Sequence, residues 1–277
     1  MVIVGNKIKK IILYFFLVLI ALNFLYPFFF MFLSSLKNNP EILQNPYGFP
    51  SVWRWSNYSR AWTKAGLGMS VLNSSVVTVS TVILTTFVCS ITSYILARHK
   101  FRLNFAIFSF FLLGLMIPAQ GTIIPTFMIL RKLKLVNTYF ALIFPYTAVS
   151  IPFAILFLTG YMKSIPISLD ETAVMEGCGE FRIYAQIIFP LSKPALVTVA
   201  VLTMLDSWNE FLYALILATK PKVRTLPIAL SLLVGEHIQE HGVQTAAAII
   251  SLSVMLVAYI IFQKQMVEGL TTGAMKG

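Results

Sequence analysis

Six stretches of this chain run for about twenty residues with almost no charge: 11–33, 71–97, 103–127, 139–161, 195–217 and 245–262. A helix of about 20 mainly apolar residues reaches across the hydrocarbon of a bilayer. In that medium every backbone N–H and C=O must be paired inside the protein, and a helix does this within a single segment. The pattern therefore predicts an all-α polytopic membrane protein with six transmembrane helices. Composition agrees. Of 277 residues, 58% are hydrophobic and 11% charged, against about 25% charged in soluble domains. A water-exposed surface cannot be assembled from so few charges. No internal repeat, low-complexity tract or soluble module interrupts the pattern, so residues 1–277 read as a single transmembrane domain.

The net charge of +11 has a topological explanation, because basic residues flank membrane helices. There is no Lys/Arg run of the kind that points to nucleic acid. The first span follows Lys7, Lys9 and Lys10. Its apolar run is too long for a signal peptide, and Ala21-Leu22-Asn23 is a poor cleavage site, so it reads as an uncleaved anchor. Those lysines and the short loop holding Arg98, Lys100 and Arg102 put both termini in the cytoplasm, although Lys and Arg are otherwise split almost evenly between the two sides. Pro27, Pro118, Pro145 and Pro152 fall inside spans, and each removes a backbone donor. They either kink a path that opens and closes or are ordinary, tolerated membrane prolines. Cys89 and Cys178 form no disulfide framework.

The loop 163–194 carries the most information: KSIPISLDETAVMEGCGEFRIYAQIIFPLSKP. Ser168 with Glu171 three residues on has the form of a capping box. A short helix is expected from about Leu169 to Met175. Gly177 and Gly179 end it, and a second helix from about Phe181 to Ile188 leads to Pro190. A polar helix–glycine–helix knob held between two spans is shaped for docking into another protein.

These residues resemble the signature of membrane subunits of ATP-binding-cassette importers: Glu-Ala-Ala, three residues, Gly, nine residues, then Ile-x-Leu-Pro. Here Glu171-Thr172-Ala173 is followed by Gly177 and then Ile187-Ile188-Phe189-Pro190 at that spacing. Thr172 and Phe189 are the two departures. The likeness extends to Leu191-Ser192-Lys193-Pro194-Ala195-Leu196, to Trp208-Asn209-Glu210-Phe211 and to the C-terminal Gly269-Leu270-Thr271-Thr272-Gly273-Ala274-Met275-Lys276-Gly277. In these segments the chain is similar to carbohydrate permeases of the maltose type. The resemblance implies a type I importer permease fold in a bacterial or archaeal plasma membrane. The implied partners are a second homologous permease, two ATPase subunits, an extracytoplasmic solute-binding protein and a carbohydrate, an oligosaccharide or related solute. It assigns Glu171, Ala173, Glu176, Gly177, Ile187 and Pro190 to ATPase coupling. It further suggests that the tail 264–277, through Gly269, Thr271, Gly273 and Lys276, reaches between the ATPase subunits. That tail is too rich in Gly and Thr to be a stable helix on its own. The chain has no phosphate-binding Gly-x-x-x-x-Gly-Lys-Ser/Thr loop. ATP and Mg²⁺ therefore belong to partner subunits, and this chain is expected to be neither an enzyme nor a cofactor binder.

Asp206 and Glu210 are charges inside a span, where ionisable groups mark function. At helical spacing Asp206, Asn209, Glu210 and Tyr213 share a face, with Trp208 and Phe211 beside it. The stripe either lines a sugar path or seals the chain against its partner permease. An alternative function is a stand-alone secondary transporter with Asp206 and Glu210 as a proton relay. Two carboxylates one turn apart cannot face each other across a glycosidic bond. His237-Ile238-Gln239-Glu240-His241 matches a zinc-protease pattern. It lacks a suitable third ligand downstream, so no metal is assigned.

Overall fold

The computed structural model describes residues 2–63, 66–235 and 240–274, with the side chains of 9–63, 66–233 and 240–264. Among the described residues the secondary structure is helical throughout. Helix α1 (Val2–Ser35) leads through two short helices, α2 (Asn39–Gln44) and α3 (Ser56–Thr63), to α4 (Leu67–Arg98). Then come α5 (Asn104–Leu113), α6 (Ala119–Lys132) and α7 (Phe140–Ser164). Short helices α8 (Ser168–Met175), α9 (Glu180–Ile183) and α10 (Phe189–Leu191) precede α11 (Lys193–Asn209), α12 (Leu212–Leu217), α13 (Leu226–Gly235) and α14 (His241–Ala274).

Among the described residues, four helical segments are long and apolar enough to cross a membrane: Lys9–Ser35, Leu67–Arg98, Phe140–Ser164 and His241–Lys264. They correspond to the first, second, fourth and sixth predicted spans. The other two spans are bent. In the third, expected as one helix over 103–127, α5 runs into a 3₁₀ turn (Gly114–Met116), and α6 leaves at 103°. Pro118 causes the break. It lacks an N–H, and the residue before a proline is pushed out of the α region. Ile117 accordingly sits at φ −86°, ψ 115°. Pro27, Pro145 and Pro152 stay inside continuous helices.

The fifth span, expected over 195–217, is also discontinuous. A 72° bend separates Glu180–Leu191 from α11, and α11 ends at Asn209. Glu210 is extended (φ −66°, ψ 126°) before α12 begins. The C-terminal tail corrects the sequence reading in the opposite direction. Helix α14 continues through Ala274, past Gly269, Thr271 and Gly273. Extending an existing helix avoids the nucleation step that makes isolated helices marginal, so weak local propensity does not stop it. Lys276 and the His237–Gln239 part of the zinc-like pattern lie outside the described residues.

The chain divides into two compact units, residues 1–68 with 230–253 and residues 69–229 with 254–277. In the first, the loop after α1 folds back on itself around a fully buried Lys37. Its Nζ donates to the carbonyls of Asn45 (2.8 Å) and Pro46 (3.2 Å). Asn57 Nδ2 donates to the carbonyls of Ser35 and Lys37. Glu240 pairs with Arg60, and the His241 N–H donates to Asn39 Oδ1. In the same segment Ser51 N–H donates to Glu41, which holds that carboxyl below the usual carboxylate range.

In the second unit, Cys89 and Leu96 of α4, Ala154, Ile155 and Leu158 of α7, and Ala195, Leu196 and Val199 of α11 form a buried apolar cluster. Gly114 lets the bent third span approach α7. A Cβ there would lie 2.6 Å from Pro152 Cγ. Gly114→Val should lower the thermal stability of the solubilised protein by about 1–3 kcal/mol through overpacking. Adding Pro152→Ala should recover most of the loss. An unshifted melting temperature in Gly114→Val would show that the two helices are not in this contact.

Candidate functional site

The loop 163–194 is a structured knob. The capping box does not form. Ser168 is the first residue of α8, and the cap position falls on Ile167, with no side-chain hydrogen bond. The first free N–H groups, of Leu169, Asp170 and Glu171, instead donate to the carbonyls of Pro166 and Ile167. With the backbone supplying these acceptors, the serine has no orphan donor left to cap.

The end of α8 follows the sequence expectation closely. Gly177 has φ +82°, the left-handed conformation that favours glycine. Its N–H donates to the Val174 carbonyl, and the Cys178 N–H to the Ala173 carbonyl, both at 2.9 Å. This pair of bonds is a Schellman motif, which satisfies the last carbonyls of a helix. After it, α9 passes through a π-helical turn (Tyr184–Ile188) into α10.

Ala173, Ile183 and Ile188 pack with Tyr94 of α4, Met162 of α7 and the adjoining Ile165 in one buried cluster. Arg98, in the last turn of α4, fastens the knob. Its Nε lies 3.1 Å from Asp170 Oδ2, with both side chains largely buried, and its Nη1 donates to the Ile165 carbonyl. Burial pushes the Asp170 carboxyl above the usual carboxylate range, and the guanidinium beside it acts in the opposite sense. Glu180 accepts from Tyr94 Oη and lies 3.2 Å from His99 Nε2.

Of the predicted coupling residues, Glu171, Glu176, Gly177 and Pro190 are exposed, Ile187 is half-buried and Ala173 is buried. Two residues the sequence reading missed crown the knob, Met175 at 88% exposure and Phe181 at 81%. Their signal was available: large apolar residues on either side of the glycine turn in an otherwise polar loop. The Arg98–Asp170 pair had no such signal, because its members are 72 positions apart.

The predicted fifth-span stripe is not one face of one helix. The break at Glu210 rearranges it. Glu210 accepts the N–H groups of Tyr213 (2.8 Å) and Ala214 (3.1 Å), and the hydroxyl of Tyr146 (2.6 Å). These two N–H groups belong to the first turn of α12 and have no intrahelical acceptor. The carboxylate therefore lets the span restart. Asp206, Ser207, Glu210 and Tyr213 line a cavity of about 210 Å³ with Ala119 and Gln120 of α6 and Tyr146 and Ser150 of α7. Tyr213 Oη donates to the Ala119 carbonyl at 3.1 Å and meets Thr122 Oγ1. Asn209 turns away, its amide donating to the Leu205 carbonyl, and Trp208 is buried outside the cavity lining. The sequence reading thus missed Tyr146, Ser150 and Gln120, which other helices bring to the cavity.

Comparison with known proteins follows the same lines. The family described as binding-protein-dependent transport system inner membrane component matches residues 89–266. A probable ABC transporter permease protein of Bacillus subtilis, YurM, is 34% identical over 99% of this chain and 90% of its own. The trehalose/maltose transport system permease protein MalG of Thermococcus litoralis is 35% identical over 98% of each chain. A chain in the crystal structure of a bacterial ABC transporter involved in the import of the acidic polysaccharide alginate shares the fold. Its TM-score is 0.79 at 22% identity, over 94% of this chain and 97% of that one. The chain belongs to the family of inner membrane components of binding-protein-dependent transport systems. It is a multi-pass permease subunit, and this membership favours the importer reading over a stand-alone secondary transporter.

Two outcomes follow from the geometry. Removing either partner of the Arg98–Asp170 pair, by Arg98→Met or Asp170→Leu, should destabilise the protein by about 3–5 kcal/mol through the charge left buried. The double variant should lose much less than the sum, which a double-mutant cycle on thermal unfolding will measure. Simple additivity would show that the pair does not fasten the knob. In the fifth span, Glu210→Ala removes a helix cap, about 1 kcal/mol, and strands the buried Tyr146 hydroxyl, about 1–3 kcal/mol more. Asp206 makes no hydrogen bond or ion pair among the described residues, so Asp206→Ala should change stability by less than about 0.5 kcal/mol. Equal losses from the two variants would refute this division.

Proposed function

We propose that the chain forms half of the translocation path of an ATP-driven, binding-protein-dependent importer of carbohydrate. Its partners are a second homologous permease, two ATPase subunits and an extracytoplasmic solute-binding protein. The observation that carries the coupling assignment is the knob of 163–194. It is a small folded body, fastened by Arg98 and a buried core, that leaves Met175 and Phe181 exposed on either side of a glycine turn. Two large apolar side chains held out together beyond the spans suit a hydrophobic cleft on another protein.

With both termini in the cytoplasm, the knob faces the side where ATP is hydrolysed. ATP and Mg²⁺ are held by the ATPase subunits, Glu171, Glu176, Gly177 and Pro190 meet them directly, and the end of α14 reaches between them. The carbohydrate assignment rests on the relatives. Besides the trehalose/maltose permease, a diacetylchitobiose uptake permease of Streptomyces coelicolor is 31% identical over 94% of this chain. An alginate transporter chain of similar fold was solved in complex with a pentasaccharide-bound periplasmic protein, a partner of the kind proposed.

Gly177 supplies the test. A Cβ at this position meets nothing within 4 Å, so a substitution acts through backbone conformation and through the docked partner. In the reconstituted complex, Gly177→Val should insert normally and reduce solute-stimulated ATP hydrolysis and uptake at least tenfold. Asparagine tolerates the left-handed region, so Gly177→Asn should keep the fold of the knob. Any coupling lost in Gly177→Asn measures the closeness of the docked ATPase. Wild-type uptake by Gly177→Val at normal expression would remove the coupling assignment.

A further inference from the structure

The cavity in the second unit lies where two broken spans meet. The start of α6, after the bend at Pro118, and the break between α11 and α12 both open onto it. Non-helical backbone at membrane depth is tolerated where it is buried in protein or lines a wet cavity, so these breaks suit a cavity that receives a polar solute. Its polar groups are unequally committed. Glu210 is occupied by three donors. Asp206 has no partner among the described residues, and the buried Ser207 Oγ beside it, which also lines the cavity, is without a hydrogen bond. The described lining includes two carboxylates and no Lys, Arg or His.

We propose that this cavity is a charge filter on the translocation path. Asp206 contacts the passing solute and disfavours anionic groups, while neutral polyhydroxyl or cationic solutes pass. Glu210 is a positioning residue, committed to the restart of α12. The inference rests on the permease reading above and deepens it by naming the charge class of the solute. The shared fold with an alginate importer chain then does not extend to that transporter's acidic cargo.

The filter can be read without knowing the natural solute. In a Cys89→Ala/Cys178→Ser background, Ser150→Cys, and independently Gln120→Cys, place a reporter thiol in the cavity of the reconstituted complex. Two methanethiosulfonate reagents are compared, one bearing trimethylammonium and one bearing sulfonate. Each rate is normalised to its reaction with free 2-mercaptoethanol, with and without ATP. One unit charge about 7 Å away separates a cation from an anion about sevenfold even at water's dielectric constant. The cationic reagent should therefore be favoured at least about sevenfold in one nucleotide state, and Asp206→Asn should lower that preference about sevenfold, leaving only the part that the Glu210 carboxylate contributes. Equal normalised rates, a preference unchanged by Asp206→Asn, or two reporters unreactive in every state would each overturn the filter. None of those outcomes touches the coupling of the knob, which Gly177→Val tests separately.

Discussion

The constraint on which this structure depends is that a backbone N–H or C=O cannot be left unpaired in hydrocarbon. Continuous helices meet it almost entirely by themselves, and α1, α4, α7 and α14 run for 25 to 34 residues each, lacking only the donors that Pro27, Pro145 and Pro152 remove. The two bent spans meet it differently. At Pro118 the missing donor is the proline's own, and the 3₁₀ turn before it absorbs the change of direction. At Glu210 a side chain takes over, its carboxylate accepting the N–H groups that α12 cannot pair internally. A charged residue inside an apolar span thus has a structural explanation before any functional one.

The same bookkeeping gives the knob its form. The first donors of α8 are taken by backbone carbonyls and its last carbonyls by the Schellman bonds at Gly177. The short helix is therefore closed at both ends without outside help. Tertiary contacts then fix its orientation. Arg98 reaches from the end of α4 to Asp170, and Ala173, Ile183 and Ile188 bury against Tyr94, Met162 and Ile165. A buried ion pair adds little net stability over an apolar one, but it is costly to break from one side. It acts here as a registry device, holding a small body at one angle to two long helices.

Asp206 and Glu210 show how far apart two similar residues can be in role. Both are carboxylates in one span, four positions apart, and both border the same cavity. One is saturated by donors, and the other has none among the described residues. The difference arises from the helix break between them, and that break depends on Tyr146 of another helix as much as on the local sequence.

Sequence alone determined that the chain is helical and crosses a membrane, because run length and the near absence of charge depend on composition and not on contacts. It also determined the glycine turn of the knob, since a left-handed glycine between two short helices is a local requirement. Only the tertiary structure decided which of four prolines breaks its helix, that Ser168 does not cap, and that α14 continues to Ala274. It alone decided that Asp170 turns inward to Arg98 and that Glu210 caps α12 while Asp206 has no partner among the described residues. The last two turn on a partner supplied by another segment: a guanidinium 72 residues away and a tyrosine on a neighbouring helix. Periodicity assigns residues to the face of a regular helix, and it fails where a side chain from elsewhere makes breaking the helix the lower-energy arrangement.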